Sequence, residues 1–310
     1  GKTTAVLKRL CQAGQMRQQV LMVPEQQSHE AERALCQMGG NGASLWAEVL
    51  SFSRLCGRVF QAAGGLGERE LDAGGRLLLM HQAVKAVSDQ LTVYARPSRR
   101  PVFLESLLAT ADELKSSCVQ PELLLQAGRE LPGPEGEKLR DLGLICGTYQ
   151  AMTARTALDP RDRLTRLAEK LRRFPFFQGQ DVYLDGFTDF TPQQGLVLAE
   201  LLRQAHSVTL ALTYGEGAGE EAVFAPARKT LTWIKGLAAK VGCPVEEEAL
   251  PAGEWGRTPP LRHLEQALFA HPMPSYTGPW DGSIVVHELP SPREEVAWAA
   301  GEIRALVRQG

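Results

Sequence analysis

The stretch Val182-Tyr183-Leu184-Asp185-Gly186-Phe187-Thr188-Asp189-Phe190-Thr191-Pro192-Gln193-Gln194 constrains the fold more than any other part of the chain. Val182 to Leu184 are strand formers without a charged interruption, as a strand buried on both faces requires. Thr191-Pro192-Gln193-Gln194 places a hydroxyl at the N-cap, proline at the first helical position and glutamine three residues after the cap. That combination is a capping box, so a helix starts here. A strand ending on a carboxylate, a short loop and a capped helix make one unit of a parallel α/β sheet. Ligands of such sheets bind at the carboxyl ends of the strands, which puts Asp185 where a phosphate-bound Mg²⁺ would sit.

The chain opens with Gly1-Lys2-Thr3-Thr4, the closing residues of a phosphate-binding loop. In such a loop backbone N–H groups cradle the phosphates, the lysine reaches the β- and γ-phosphates, and the first hydroxyl ligates Mg²⁺. The candidate nucleotide site is therefore Gly1, Lys2, Thr3 and Thr4, with Thr3 and Asp185 as Mg²⁺ ligands. The alternative for Asp185 is a strand-end aspartate that caps its own turn. Asp189 and Thr188 add a second acid and a hydroxyl nearby.

Around these motifs the pattern is βα repeated. A helix follows Thr4, with apolar Ala5, Val6, Leu7, Leu10 and Cys11 suited to packing on a sheet. Val20 to Val23 reads as a strand closed by Pro24, and Val49 to Phe52 as another, with a short helix over Ser53 to Phe60. From Leu71 to Arg173 the periodicity is helical, broken at Pro97, Pro101, Pro132-Gly133-Pro134 and Pro160. Strands resume at Val182–Leu184 and Val208–Thr213. Ser283–Glu288 reads as a further strand, and Arg293 to Arg308 as a helix.

The expected architecture is an α/β parallel sheet with an inserted all-helical subdomain and the start of a second sheet domain. Its parts are 1–70 and 176–250 for the first domain, 71–175 for the insertion, 251–282 for a connection and 283–310 for the second domain. The chain starts at the glycine of the phosphate loop and stops directly after a helical pattern, so it reads as a piece of a longer protein.

Composition narrows the function classes. The formal charge of −2 over 310 residues gives no global basic field, although one groove can still be basic. No apolar run approaches a membrane span and no signal peptide opens the chain, so the expectation is a cytoplasmic protein without a membrane partner. The six cysteines are scattered with no C-x-x-C pair, and the histidines have no metal-ligand spacing. Gln26 and the Ser51-Phe52-Ser53-Arg54 block lie at or after strand ends on the Asp185 edge. These residues either touch nucleotide or single-stranded nucleic acid, with Ser51, Phe52 and Arg54 the candidates for DNA, or are simply polar loop. Arg96, Arg99 and Arg100, and Arg161, Arg163, Arg166, Arg172 and Arg173, are locally basic and read as solvated helix faces.

In order, GKTT, VLMVPEQQSHEAERAL, EVLSFSRL, a helical insertion, VYLDGFTDFTPQQ and VTLALT resemble superfamily I helicases of the UvrD and RecB type. VPEQ, AERAL, VLSFSRL, YLDGFTDFTPQ and PREEVAWAAGEIRALVR are more closely similar to the N-terminal region of the AddB family, the second subunits of bacterial AddAB helicase–nucleases. The resemblance implies a RecA-like P-loop domain and an AddA-type helicase–nuclease subunit as partner. It also implies a role in double-strand-break repair by recombination, with single-stranded DNA scanned for the Chi hotspot.

Active helicases of this type follow the strand-end aspartate with a glutamate that orients the attacking water; here that position is Gly186. Loss of such a carboxylate costs about 10² to 10⁴ in rate. The resemblance thus implies ATP–Mg²⁺ binding with poor hydrolysis. An iron–sulfur cluster is expected only in a C-terminal nuclease domain outside this chain, and none of these cysteines is assigned to it. The competing readings are an active helicase motor, a P-loop small-molecule phosphotransferase, and a scaffold that binds no nucleotide.

Overall fold

A computed structural model describes residues 1–95, 100–214, 222–250 and 257–309. By packing, the chain forms two units: Gly1–Tyr214 with Ala225–Leu250, and Gly215–Phe224 with Pro251–Gly310.

The larger unit is built on a four-stranded parallel sheet, β1 (Gln19–Met22), β2 (Ala47–Leu50), β3 (Asp181–Leu184) and β4 (Ser207–Leu210), in the order β2-β1-β3-β4. β1 aligns Val20 with Glu48 on one side and with Val182 on the other, and β3 aligns Val182 with Val208. Every residue of β1 and β3 is buried, whereas β4 is partly exposed along its length. That explains the unbroken apolar runs of the inner strands.

Successive residues point to opposite faces, and each face has its own core. Leu21, Val49 and Tyr183 pack under α1 (Lys2–Ala13) and α2 (Ser28–Gly39), meeting Val6, Leu10 and Leu35. Val20, Met22, Val182 and Leu184 pack against α3 (Phe52–Ala63), α8 (Arg163–Arg173) and α9 (Pro192–Gln204). The result is a three-layer α/β arrangement. The capping box of α9 forms as the sequence predicts: Gln194 N donates to Thr191 Oγ1 at 3.2 Å, and Thr191 N to Gln194 Oε1 at 2.8 Å.

A helical module leaves the sheet layer near Glu70 and returns near Leu158. Leu71 N donates to Leu158 O at 2.9 Å and Leu158 N to Arg69 O at 3.0 Å, so entry and exit segments lie side by side. The module contains α4 (Ala73–Ala86), α5 (Pro101–Ser116), α6 (Pro121–Glu130) and α7 (Pro134–Thr156). Met80, Ala83, Leu107, Ile145 and Tyr149 form its core. α6 lies close against α7 because Gly143 has no side chain; a Cβ there would come within 2.8 Å of Leu125.

The helical periodicity that runs on to Arg173 divides at this junction. α4, α5 and α7 share one core, while Leu167, Ala168 and Leu171 of α8 are buried on the sheet side. Two buried carboxylates hold the module. Asp141 accepts from the backbone N–H groups of Thr92, Val93 and Tyr94 at 2.8 to 3.1 Å. Asp159 gathers Lys115 Nζ at 2.9 Å, Tyr149 Oη at 3.0 Å and Arg161 N at 3.0 Å, with Arg76 Nε 3.2 Å away as an ion pair.

α10 (Ala225–Val241) packs on α9 in the larger unit, and Trp233 stacks on Phe190 with ring centroids 6.1 Å apart. The smaller unit contains α11 (Pro259–Ala267) and α12 (Pro292–Gln309) and, among the described residues, no strand. The strand expected over 283–288 is therefore absent, and Val286 is 89% exposed. Apolar β-formers alone do not make a strand; the ladder needs a neighbour for its N–H and C=O groups. Of the expected breaks, Pro97 and the cationic Arg96 and Arg99 lie outside the described residues.

Candidate functional site

The carboxyl edge of the sheet collects residues from three loops and one helix start. Lys2 is the first residue of α1, with Gly1 as its N-cap, and Lys2 Nζ donates to Thr213 Oγ1 at 2.5 Å. Thr213 follows β4, so the lysine reaches over the strand next to the one that carries Asp185. Thr3 and Thr4 lie in the first turn of α1, where Thr3 is exposed. The four candidate phosphate-loop residues are thus at a helix N-terminus, where free backbone N–H groups and the helix dipole favour an anion.

Asp185 directly follows β3. Its N–H donates to Met22 O at 3.0 Å, which extends the β1–β3 ladder by one residue. Its side chain is buried, and Oδ1 is without a hydrogen-bond partner. A buried carboxylate oxygen left unpaired costs about 1–3 kcal/mol or more, so it calls for a cation or donor. A capped turn would have satisfied that oxygen. A carboxylate at a strand end, with a lysine and a threonine at the start of α1, is a set of residue types that suits hydrated Mg²⁺ with phosphate oxygens.

Gly186 takes φ +79°, and a Cβ built on it would lie 2.1 Å from Gln27 Oε1 and 3.1 Å from Pro24 Cδ. The space a side chain at 186 would enter is filled by the loop that follows β1. That loop, Pro24 with the 3-10 turn Glu25–Gln27, brings Gln27 to the site. Gln26, the residue singled out from the sequence, is exposed. Thr213 was also missed as a site residue: the sequence reads it as the last residue of a 208–213 strand, whereas β4 ends at Leu210.

The Ser51-Phe52-Ser53-Arg54 block serves the fold. Ser51 is buried and caps α3, its Oγ accepting from Arg54 N at 3.2 Å. Phe52 is 7% exposed and meets Phe187 edge-on at 5.8 Å and Phe190 at 6.5 Å. Arg54 pairs with Glu32 at 2.5 Å and donates to Val49 O at 3.3 Å along the outer edge of β2. Of these three, Arg54 alone turns a half-exposed side chain to solvent. Phe52, Phe187, Phe190 and Trp233 form a continuous aromatic row that ties α3, the loop after β3 and α10 together. Thr188 and Asp189 belong to that loop, with Thr188 Oγ1 3.4 Å from Asp189 Oδ1 and Thr230 Oγ1 donating to Thr188 O at 2.8 Å.

Two of the six cysteines, Cys56 and Cys146, are buried. Burial pushes Cys56 and Cys146 up to about 11, which keeps both as neutral thiols near pH 7. Among the described residues no group of three or more His, Cys, Asp or Glu side chains is placed to hold a metal by itself. No helix among them is long and apolar enough to cross a membrane.

Comparison with known proteins places this geometry in a family. Residues 1–265 match the sequence model of the family described as ADDB, N-terminal. The chain is 34% identical over its full length to the AddB subunit of the ATP-dependent helicase/deoxyribonuclease of Desulforudis audaxviator, covering 28% of that protein. It is 34% identical to the protein of the same name from Moorella thermoacetica, over 94% of this chain and 26% of the relative. With the counterpart from Acetivibrio thermocellus the identity is 31%, over 83% of this chain and 23% of the relative. The chain thus spans about a quarter of the length of these relatives. A family match over 1–265 and a parallel sheet carrying the quoted motifs in order lead to one conclusion: the chain belongs to the AddB family and comprises its N-terminal region.

Proposed function

We propose that this chain is the helicase-like region of the AddB subunit of an ATP-dependent DNA helicase–exonuclease acting in recombinational repair of double-strand breaks in the cytoplasm. Its sheet follows the RecA-like P-loop plan, and its site holds ATP–Mg²⁺ but hydrolyses it poorly. Gly1 to Thr4 cradle the phosphates, Lys2 exchanges Thr213 for a phosphate oxygen, and Thr3 and Asp185 hold Mg²⁺. Bound there, Mg²⁺ neutralises phosphate charge. Glycine at 186 supplies no carboxylate to orient a water for attack, and Gln27 fills the adjacent space. Nucleotide then acts as a structural ligand of the region while an AddA-type partner subunit supplies the motor. The region binds and scans single-stranded DNA, including the Chi sequence, and the 283–309 segment begins a second RecA-like domain.

The observation that carries this reading is the buried, unpartnered Oδ1 of Asp185 at the carboxyl end of β3. The names of the relatives support the complex: each is called a subunit of an ATP-dependent helicase/deoxyribonuclease. The test is the ATP–Mg²⁺ affinity of the full-length protein, measured by calorimetry. Lys2→Ala and Asp185→Asn should each weaken binding by about tenfold or more, the scale of a lost charge-assisted contact of about 1.5–3 kcal/mol. Equal affinity in wild type and both variants would remove the nucleotide site.

A further inference from the structure

α8 carries one face into the core and a basic stripe away from it. Leu167, Ala168 and Leu171 are buried against α3 and α9, while Arg163, Arg166, Lys170 and Arg173 recur at helical spacing on the other side. At 1.5 Å per residue the stripe runs about 15 Å. Beside it lies a groove of about 550 Å³, walled by α8 and by the chain from the end of α3 to Glu68, and lined among others by Phe60, Glu68, Arg166, Lys170 and Arg173.

The groove is held in shape and is electropositive. Lys170 Nζ lies 3.4 Å from Ala63 O, close to the carboxyl end of α3. The Arg166 guanidinium sits 5.2 Å over the Phe60 ring and pairs with Glu68. Arg163 is held by both carboxylate oxygens of Glu70 at 2.7 Å. Arg166, Lys170, Arg172 and Arg173 among the lining face Glu68 and Glu169, with Arg172 also paired to Glu200 at 3.2 Å, so Lys170 and Arg173 carry the positive character. Among the described residues neither Lys170 nor Arg173 has a carboxylate within ion-pair reach. Glu68 is half exposed, and a pair at that exposure holds little, so a phosphate can take its place on Arg166. Phe60 is buried and turns no open ring face to the groove, so stacking on bases has no platform here.

From this geometry we infer that the α8 groove is a track for the sugar–phosphate backbone of DNA, bound through charge and without base readout. A single strand presents a phosphate about every 3.4 Å when stacked, so 15 Å accommodates about four. The inference rests on the DNA-processing reading above and adds a surface to it, distinct from Gly1–Thr4, Asp185 and Arg54.

The test uses the full-length protein with its partner, in EDTA so that no DNA is cut, and a fluorescent (dT)20 strand titrated at several salt concentrations. Lys170→Gln/Arg173→Gln should weaken binding roughly 10- to 50-fold at 0.1 M salt and flatten the log–log salt slope by about 1.4, the counterion release of two single-strand contacts. A mixed-sequence strand should lose the same factor. Glu68→Gln should tighten binding about threefold, a gain that a folding defect does not mimic. Lys85→Gln/Lys138→Gln, which removes equal charge from the helical module, should leave affinity and slope unchanged. Unchanged binding by the α8 variant, an equal loss in the Lys85/Lys138 variant, or weaker binding by Glu68→Gln would overturn the groove while DNA binding stands. Failure of the wild type to bind the strand would overturn the groove and the DNA reading together.

Discussion

Alanine at position 186 should loosen the carboxyl end of β3, and its cost follows from two separate terms. Gly186 sits at φ +79°, in the left-handed region, where a side chain costs about 1–2 kcal/mol. The added Cβ also meets Gln27 Oε1 at 2.1 Å and Pro24 Cδ at 3.1 Å. Gln27 is exposed and flexible, so its amide swings away cheaply, whereas the Pro24 ring must give by a few tenths of an ångström. The sum is about 1–3 kcal/mol, which by the factor of ten per 1.4 kcal/mol speeds exchange of the Asp185 and Leu184 amides roughly 5- to 150-fold. Hydrogen exchange read by mass spectrometry on the full-length protein measures this. Gln27→Ala should recover only the part due to its own amide, leaving the φ term and Pro24. Gly186→Glu should carry at least the same cost and leave ATP turnover unchanged, since Gln27 and Pro24 occupy the space its side chain would enter. Exchange in Gly186→Ala equal to wild type, or a gain of hydrolysis in Gly186→Glu, would refute this reasoning.

Other predictions concern the helical module. Asp159→Asn should destabilise α5 and α7 by about 2–4 kcal/mol, the lower part of the range for breaking a buried ion pair, because Lys115 keeps Asp162 at 2.8 Å and Arg76 keeps Asp112. Burial alone would raise Asp159, but the Lys115 hydrogen bond, the Arg161 N–H and the charges of Lys115 and Arg76 outweigh it and hold it below the ordinary aspartate value. Its stabilisation is therefore complete above about pH 4 and is lost as pH falls through the lowered folded value, which exchange rates in α5 against pH will show. Cys118 ends α5 at φ +54°, with its N–H on Lys115 O and the Val119 N–H on Leu114 O. Glycine suits that cap better, so Cys118→Gly should stabilise the module by about 1 kcal/mol in urea unfolding. Asp141→Ala strands three backbone N–H groups and should cost about 3 kcal/mol or more, read as faster exchange at Thr92, Val93 and Tyr94.

Strands and caps were legible where local chemistry decides them. Val182–Leu184 is buried on both faces and reads as such, and Thr191 to Gln194 names its own helix start. What the sequence hides is what each element packs against. α8 has the same amphipathic period as the helices before it, yet its apolar side chains fill the sheet core and its basic stripe borders a groove. Phe52 reads as a strand-end aromatic open to a ligand, whereas it starts α3 and Phe187 and Phe190 close over it from 135 or more residues away. Ser283–Glu288 has strand composition but, among the described residues of its unit, no strand to pair with. At the site, Lys2 and Asp185 were visible from residue type at strand and helix ends, whereas Gln27 and Thr213 depend on turn geometry and strand order.

The central claim is a site that binds ATP–Mg²⁺ and does not turn it over. Its most direct test is ATP hydrolysis stimulated by single-stranded DNA in the full-length protein without its partner, at nucleotide concentrations where calorimetry shows binding. The account predicts saturable binding with turnover far below the roughly 1 s⁻¹ at which working enzymes begin. Turnover of about 1 s⁻¹ or faster, abolished by Lys2→Ala, would contradict it and make this region a motor.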